Sequence, residues 1–206
     1  MRLQKNRKTM KTDIILAGVG GQGILSIATV LGSAALADNL YLKQAEVHGM
    51  SQRGGDVQSN LRISSNPIAS DLIPLAGADV IISLEPMEAL RYLPYLSDKG
   101  WIVTNTTPFV NIPDYPEVDT IMEEMMKNPN VVAFDMDKVA KEVASPRASN
   151  MVLLGAATPF IGIPSDKIEK GIRDIFGRKG EAIVESNLKA FRAGLEKADQ
   201  ISKKEK

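Results

Sequence analysis

Two glycine-bearing segments hold the residues best suited to chemistry. Gly18-Val19-Gly20-Gly21-Gln22-Gly23 follows a short apolar run and opens a stretch of helical periodicity. Gly-x-Gly-x-x-Gly in that setting is the strand–turn–helix fingerprint of dinucleotide sites. The helix start offers free N–H groups and a partial positive charge, which suits a phosphate or a carboxylate. The second segment runs Glu46-Val47-His48-Gly49-Met50-Ser51-Gln52-Arg53-Gly54-Gly55 and holds an acid, the chain's single histidine, an arginine and three glycines. Glu46 stands near the end of the second predicted strand, roughly where a ribose-binding acid would sit. One reading is a free-standing NAD-dependent dehydrogenase or a nucleotide-binding module. The other is that the glycines only permit tight strand–helix packing, and the pattern leaves both open. Two features weaken the NAD reading. Gly21-Gln22 adds a fourth glycine and an amide to the turn, and a second glycine loop replaces the plain crossover helix after Glu46.

The individual side chains carry paired readings. His48 titrates near neutrality and could move a proton. No nucleophile or second base accompanies it, which favours a neutral histidine that holds its loop or faces another subunit. Arg53 has the planar fork for a carboxylate or phosphate, or it locks the loop through Glu46. Ser51 and Gln52 complete a polar loop shaped around something, and Gly54 and Gly55 serve a backbone turn before the next strand. Glu85 and Glu88 are paired acids at a helix start, where capping and the helix dipole account for them. Met122, Met125 and Met126 lie at helical spacing and read as packing residues. Trp101 fits a core or an interface, and Asn150 stands near a helix start. No catalytic residue and no metal ligand set is assigned. The candidate cofactor-binding or partner-facing residues are Gly20, Gly21, Gln22, Gly23, Glu46, His48, Ser51, Gln52, Arg53, Gly54 and Gly55.

The elements that must position these residues alternate. Thr12 to Ala17 is a buried strand, Gly23 to Ala37 a helix and Leu40 to Ala45 a second strand. Val57, Ser59, Leu61 and Ile63 alternate with polar residues as in a half-exposed strand. Ile68 to Ile73 is expected to return as its hairpin partner after the Asn66-Pro67 turn. Ala78 to Leu84 is a buried strand, and Glu85-Pro86 starts a helix with proline in its first turn. Trp101 to Asn105 and Val131 to Phe134 are strands; Val118 to Lys127 and Asp137 to Val143 are helices. After Pro146 the chain reads helical over Ala148 to Phe160, Ser165 to Phe176 and Gly180 to about Lys203. This alternation predicts an α/β fold, a Rossmann-like and mainly parallel sheet flanked by helices. An antiparallel hairpin insertion near 56–73 and a helical C-terminal region complete it. The expected organisation is a disordered basic extension over 1–11 and a single domain over 12–203.

Composition narrows the function classes. The chain has 206 residues, 44% hydrophobic and 24% charged, with 25 basic and 25 acidic side chains. Zero formal net charge gives no basic excess for a nucleic-acid surface. It also provides little colloidal repulsion, which favours a chain living in a complex. Cysteine is absent, so neither a disulfide nor a cysteine-ligated iron–sulfur cluster can form here. Arg2, Lys5, Arg7, Lys8 and Lys11 followed by an apolar stretch to Ala37 mimic a secretory leader. Glycines and Gln22 interrupt that stretch, which argues against a leader and against a membrane span. A cytoplasmic protein is expected.

The two glycine loops together resemble the gamma-type domain of the 2-oxoacid:ferredoxin oxidoreductase family. The His48-Gly49-Met50-Ser51-Gln52-Arg53-Gly54-Gly55 version is similar to that of indolepyruvate-type small (beta) subunits; pyruvate-type relatives differ before the shared Arg-Gly-Gly. Further matches are Glu85-Pro86-Met87-Glu88-Ala89-Leu90-Arg91 and Asn150-Met151-x-x-Leu154-Gly155-Ala156, and the likeness spans about residues 12 to 195. The resemblance implies a division of labour. A large alpha subunit carries thiamine diphosphate and the iron–sulfur clusters, coenzyme A takes the acyl group, and electrons leave to ferredoxin. The small subunit would hold none of these cofactors and supply structure, with part of the coenzyme A or substrate surface.

Overall fold

The computed structural model describes residues 9–49, 54–110 and 112–204, without the side chains of His48, Lys203 and Lys204. Six strands form one sheet in the order β2-β3-β1-β4-β5-β6. In chain order they are β1 (Lys11–Val19), β2 (Tyr41–His48), β3 (Asp56–Ser64), β4 (Ala78–Ser83), β5 (Leu96–Asn105) and β6 (Val131–Phe134). Parallel pairing links β1, β4, β5 and β6, while β3 runs antiparallel to both β1 and β2. The helices are α1 (Ile24–Ala37), α2 (Pro86–Arg91), α3 (Val118–Met125), α4 (Met136–Val143), α5 (Ser149–Ile161), α6 (Ser165–Phe176) and α7 (Glu181–Lys204).

Side-chain alternation along the strands feeds two cores. From β1, Ile14 and Leu16 join the larger core, together with Leu31 of α1, Leu154 of α5, Ile172 of α6 and Phe191 of α7. Ile15 and Ala17 face the smaller core, with Ala89 of α2 and Ile121 and Met125 of α3. So α1 and α2 lie on opposite faces of the sheet. The central helix α5 is buried along almost its whole length. Its tight contact with α7 depends on two glycines. A Cβ on Gly155 would lie 1.9 Å from the Phe191 carbonyl oxygen, and one on Gly194 would lie 1.9 Å from that of Val152. Trp101 belongs to this packing, stacked on Phe160 at 4.1 Å. Met125 is fully buried and Met122 packs beside it, whereas Met126 is exposed.

The α/β class, the mainly parallel sheet and the helical C-terminal region agree with expectation, but the hairpin is placed differently. Its arms are β2 and β3, with the second glycine loop as its connection. Residues 68–73 form no strand. A strand has two edges, and both edges of β3 are taken, by β1 and β2. The segment is held by side chains instead. The Ile73 N–H donates to Asn60 Oδ1 at 3.1 Å, and Arg62 Nη1 donates to the Ser70 and Leu72 carbonyls at 3.1 and 2.9 Å. At the amino end, Lys11 opens β1 and the Met10 N–H donates to Ser65 Oγ at 3.1 Å. The expected extension is thus shorter at its carboxyl side, and residues 1–8 lie outside the described residues.

Candidate functional site

The first glycine segment is the turn from β1 into α1. Gly21 and Gly23 sit at φ +103° and +81°, a region that side chains with a Cβ avoid. Gln22 staples this turn. Its Oε1 accepts from the Val19 N–H at 2.7 Å, and its Nε2 donates to the Leu84 carbonyl at 3.2 Å, just past β4. A Cβ on Gly18 would come within 3.0 Å of that Oε1. Gln22 therefore occupies space above the end of β1 and ties the ends of two neighbouring strands. Among the described residues no side chain caps α1, whose N-cap is Gly23.

The described end of the second glycine segment, Gly54 and Gly55, lies against the first. The Gly20 N–H donates to the Gly55 carbonyl at 2.8 Å, and the Gly54 N–H donates to the Gly20 carbonyl at 3.4 Å. The Gly49 N–H donates to the Asp56 carbonyl at 2.9 Å and closes the base of the hairpin. Two segments some thirty residues apart thus form one backbone-bonded surface at the carboxyl edge of the sheet. Met50, Ser51, Gln52 and Arg53 lie outside the described residues, as does the His48 side chain. His48 itself ends β2, opposite Val57. Glu46 is exposed on β2 and accepts a hydrogen bond from Gln44 Nε2. The ribose position expected for it is corrected by topology. The strand beside β1 on this side is the antiparallel β3, and Glu46 sits one strand further out.

Between β1 and β4 the connections leave to opposite faces of the sheet, which makes their carboxyl ends a topological switch point. Ligands of open α/β sheets bind at such crevices. Here a cavity of about 420 Å³ is lined by Gly21, Gln22 and Gly23, by Asn105 and Asp137, and by Arg147, Ser149 and Asn150. Asn105 ends β5; its Nδ2 donates to Asp137 Oδ2 at 2.8 Å and its Oδ1 accepts from the Met136 N–H at 2.9 Å. Ser149 Oγ donates to the other oxygen of Asp137. Asn150 reaches back across 127 positions, its Nδ2 3.2 Å from the Gly23 carbonyl. Its Oδ1 is the one buried side-chain nitrogen or oxygen among the described residues without a hydrogen-bond partner. The sequence reading missed Asn105, Asp137, Arg147 and Ser149. An asparagine at the carboxyl end of a parallel strand was the available signal for the first.

The two acids of α2 are structural. Glu85 is fully buried and caps the helix, accepting from the Glu88 N–H at 2.9 Å. It also accepts from the Tyr115 hydroxyl and from the Phe109 N–H at 3.3 Å. Burial and that bond push the Tyr115 hydroxyl well above the usual phenol value. Glu88 grips Arg91 at 2.9 and 3.2 Å, yet burial outweighs the guanidinium and raises its carboxyl. Burial likewise pushes Tyr92 up to about 12. Beside them the loop after β5 exposes Phe109, Val110 and Ile112. Among the described residues, no group of three or more His, Cys, Asp and Glu is placed to hold a metal ion. No described helix is long and apolar enough to cross a membrane.

Known proteins are similar to this chain in sequence and architecture. The indolepyruvate oxidoreductase subunit IorB of Archaeoglobus fulgidus is 36% identical over 198 residues, covering 92% of this chain and 96% of that one. A keto/oxoacid ferredoxin oxidoreductase gamma subunit from Geobacter sulfurreducens superposes with a TM-score of 0.70 at 26% identity, over 93% of this chain and 98% of that one. The 2-oxoglutarate:ferredoxin oxidoreductase of Magnetococcus marinus, solved with 2-oxoglutarate, coenzyme A and succinyl-CoA bound, gives 0.72 at 25% identity. There the match covers 92% of this chain but 31% of the other, so the same unit is built into a longer polypeptide. Residues 13–197 match the family described as pyruvate ferredoxin/flavodoxin oxidoreductase, and the chain belongs to that family.

Proposed function

We propose that this chain is the small, cluster-free subunit of an indolepyruvate-type 2-oxoacid:ferredoxin oxidoreductase. The observation that carries this reading is the pair of glycine loops bonded through Gly20, Gly54 and Gly55, in a chain 36% identical to an indolepyruvate oxidoreductase subunit. The overall reaction joins a 2-oxoacid and coenzyme A to give acyl-CoA and CO2, and passes two electrons to two ferredoxins. A larger alpha subunit holds thiamine diphosphate, which stabilises the carbanion left by decarboxylation, and the iron–sulfur clusters that relay electrons. With no cysteine, this chain offers no thiolate to ligate such clusters.

What the chain's own residues offer is a preformed surface. Gln22 fixes the turn, the turn bonds Gly54 and Gly55 at the start of the strand that follows, and α1 presents its start beside both. We assign Gly20, Gly21, Gln22, Gly23, Glu46, His48, Ser51, Gln52, Arg53, Gly54 and Gly55 to the surface that meets the alpha subunit or coenzyme A. Phe109, Val110 and Ile112, 42%, 67% and 42% exposed, lie beyond β5 on the same edge and suit burial against a subunit. Residues 12–203 act as one gamma-type unit, and the complex works in the cytoplasm, without nucleic acid or membrane.

The test is reconstitution. The pure chain is assayed with indolepyruvate, coenzyme A and a viologen dye, alone and with the alpha subunit. Dye reduction is expected only for the pair. Reduction by the chain alone, or failure of the two to associate, overturns the proposal.

A further inference from the structure

Glu85 is fully buried, and no cation among the described residues pairs with its carboxylate. A charge in such a place must be satisfied by hydrogen bonds. Its two oxygens divide the work. Oε2 accepts from the Glu88 N–H at 2.9 Å and caps α2. Oε1 accepts from the Phe109 N–H at 3.3 Å and from the Tyr115 hydroxyl. Capping alone is best served by the shorter Ser, Asp or Asn. The longer glutamate also reaches the loop between β5 and α3, and holds it on both sides of Val110 and Ile112.

That loop is unlike an ordinary surface loop. From Thr106 to Pro113 it has no charged residue, in a chain that is 24% charged. Phe109, Val110 and Ile112 are exposed, Val110 by 67%. Pro108 and Pro113 bracket them, and Pro116 follows. Proline reduces the freedom that a loop loses on being ordered. At the start of the loop, Thr107 Oγ1 donates to Asp135 Oδ1 at 3.1 Å and the Thr106 N–H to the Phe134 carbonyl at 3.2 Å. Exposed apolar side chains on a loop fixed at each end suit the centre of a protein interface. Charge is scarce there, aromatic residues are enriched, and prior ordering lowers the cost of association. The loop is also continuous with the glycine turn. Leu84, the residue before Glu85, accepts from Gln22 Nε2 at 3.2 Å, and its N–H donates to the Ala17 carbonyl at 3.2 Å.

We propose that Glu85 and Tyr115 are positioning residues that hold Phe109, Val110 and Ile112 out as a preformed anchor for an apolar hollow on the alpha subunit. The inference rests on the subunit reading above, and adds to it which side chains make the contact and which hold them in place.

The test is the affinity of the full-length chain for the alpha subunit, with the melting temperature of the chain measured alongside. Replacing Phe109, Val110 and Ile112 together by serine keeps the backbone N–H that Glu85 accepts. Affinity is expected to fall at least about tenfold, through lost apolar burial, while the chain melts as before. Tyr115→Phe leaves the apolar side chains in place and removes one hold on the loop. It is expected to weaken association several-fold and to speed chymotrypsin cleavage after Phe109 in the folded chain. Glu85→Asp, which keeps the charge and shortens the reach, should act in the same way. If either of these two does not fold, the serine variant decides. Wild-type affinity in the serine variant overturns the proposal, as does Tyr115→Phe with neither a looser loop nor a weaker complex. Self-association of the chain that the serine variant abolishes would assign the anchor to a second copy and overturn it too. Failure of the wild-type chain to bind the alpha subunit overturns the subunit reading itself. Wild-type binding with an unaffected serine variant overturns this inference alone.

Discussion

The two edges of the sheet hold similar ingredients and treat them differently. At the amino edge of β1, Asp13 is 1% exposed and takes Arg62 Nε at 2.8 Å, Arg62 Nη2 at 2.9 Å and Lys11 Nζ at 2.8 Å. The remaining nitrogen of Arg62 clamps the carbonyls of residues 70 and 72. At the carboxyl edge, among the described residues, Asp137 has no paired cation, Arg147 has no paired acid and Asn150 carries an orphaned oxygen. A cavity of about 380 Å³ adjoins the first cluster and one of about 420 Å³ the second, so the presence of a cavity does not separate the two. Closure of the polar groups does. Groups that satisfy one another hold the fold, whereas groups left open await something from outside.

The largest expected effect comes from opening the closed cluster. Arg62→Ala strands Asp13 as a buried, half-compensated charge and frees the 65–77 segment from β3. Removing one partner of a buried pair costs about 3–5 kcal/mol. Urea unfolding of the variant is expected to show a loss in that range, with normal assembly per folded chain. A loss under about 1 kcal/mol would place the cluster among surface pairs and remove the contrast between the edges.

The same cluster sets an acid limb. Burial opposes ionisation of Asp13, but the hydrogen bonds and charges of Arg62 and Lys11 hold its carboxyl below the ordinary value of 3.8. A group with a depressed folded value stabilises above its unfolded value, and that contribution is lost as pH falls through the folded one. Glu88 has the opposite sign. Burial raises its carboxyl despite Arg91, so its contribution is full at low pH and is lost as pH rises through its folded value. Denaturation of wild type and Asp13→Asn from pH 7 downward should show a gap that is widest near neutrality and closes below about pH 4. A gap independent of pH would mean that Asp13 acts through shape and not through charge.

Much of this contrast was hidden in the sequence, for identifiable reasons. Apolar runs ending in glycine located β1 and its turn, and Glu85-Pro86 located the start of α2, because those signals are local. The hairpin was misplaced because Ile68 to Ile73 has a strand-like composition, and pairing depends on which edges of β3 are already filled. Asn60 and Arg62 looked like the solvent side of a strand, yet Asn60 is 4% exposed and both anchor the next segment. Asn150 and Gly23 meet across 127 positions, and Asn105, Asp137 and Ser149 meet only through the order of β5, β6 and α5. Nothing in local pattern reports such meetings. The two glycine loops were linked in advance by family resemblance alone, and their direct hydrogen bonds supply the physical reason.

A smaller effect should follow at the carboxyl edge from loosening the staple. Gln22→Ala removes the acceptor of the Val19 N–H and the donor to the Leu84 carbonyl. Leaving one such group unpaired costs about 1–3 kcal/mol, less if water enters. The turn also carries Gly20, which holds the second loop, so association with the alpha subunit should weaken by more than the fold does. Equilibrium unfolding and a pull-down of the complex, compared on one preparation, separate the two. Loss of stability with unchanged association would show that the loops keep their shape without Gln22.

The smallest change expected in the chain itself is at Gly21. A Cβ built there meets nothing within 4 Å among the described residues, so none of them resists it. The remaining cost is conformational. At φ +103° an L side chain is strained, by roughly 1–2 kcal/mol in left-handed backbone. Gly21→Ala should therefore lower stability by about that amount and no more. The open space above Gly21 matters only if something fills it in the complex. Gly21→Val adds a branched side chain at nearly the same backbone cost, so a drop in association between the alanine and valine variants reports the partner or ligand directly. If the two variants associate equally well, the space above the turn stays empty in the assembly. The carboxyl edge would then be open to small ligands alone.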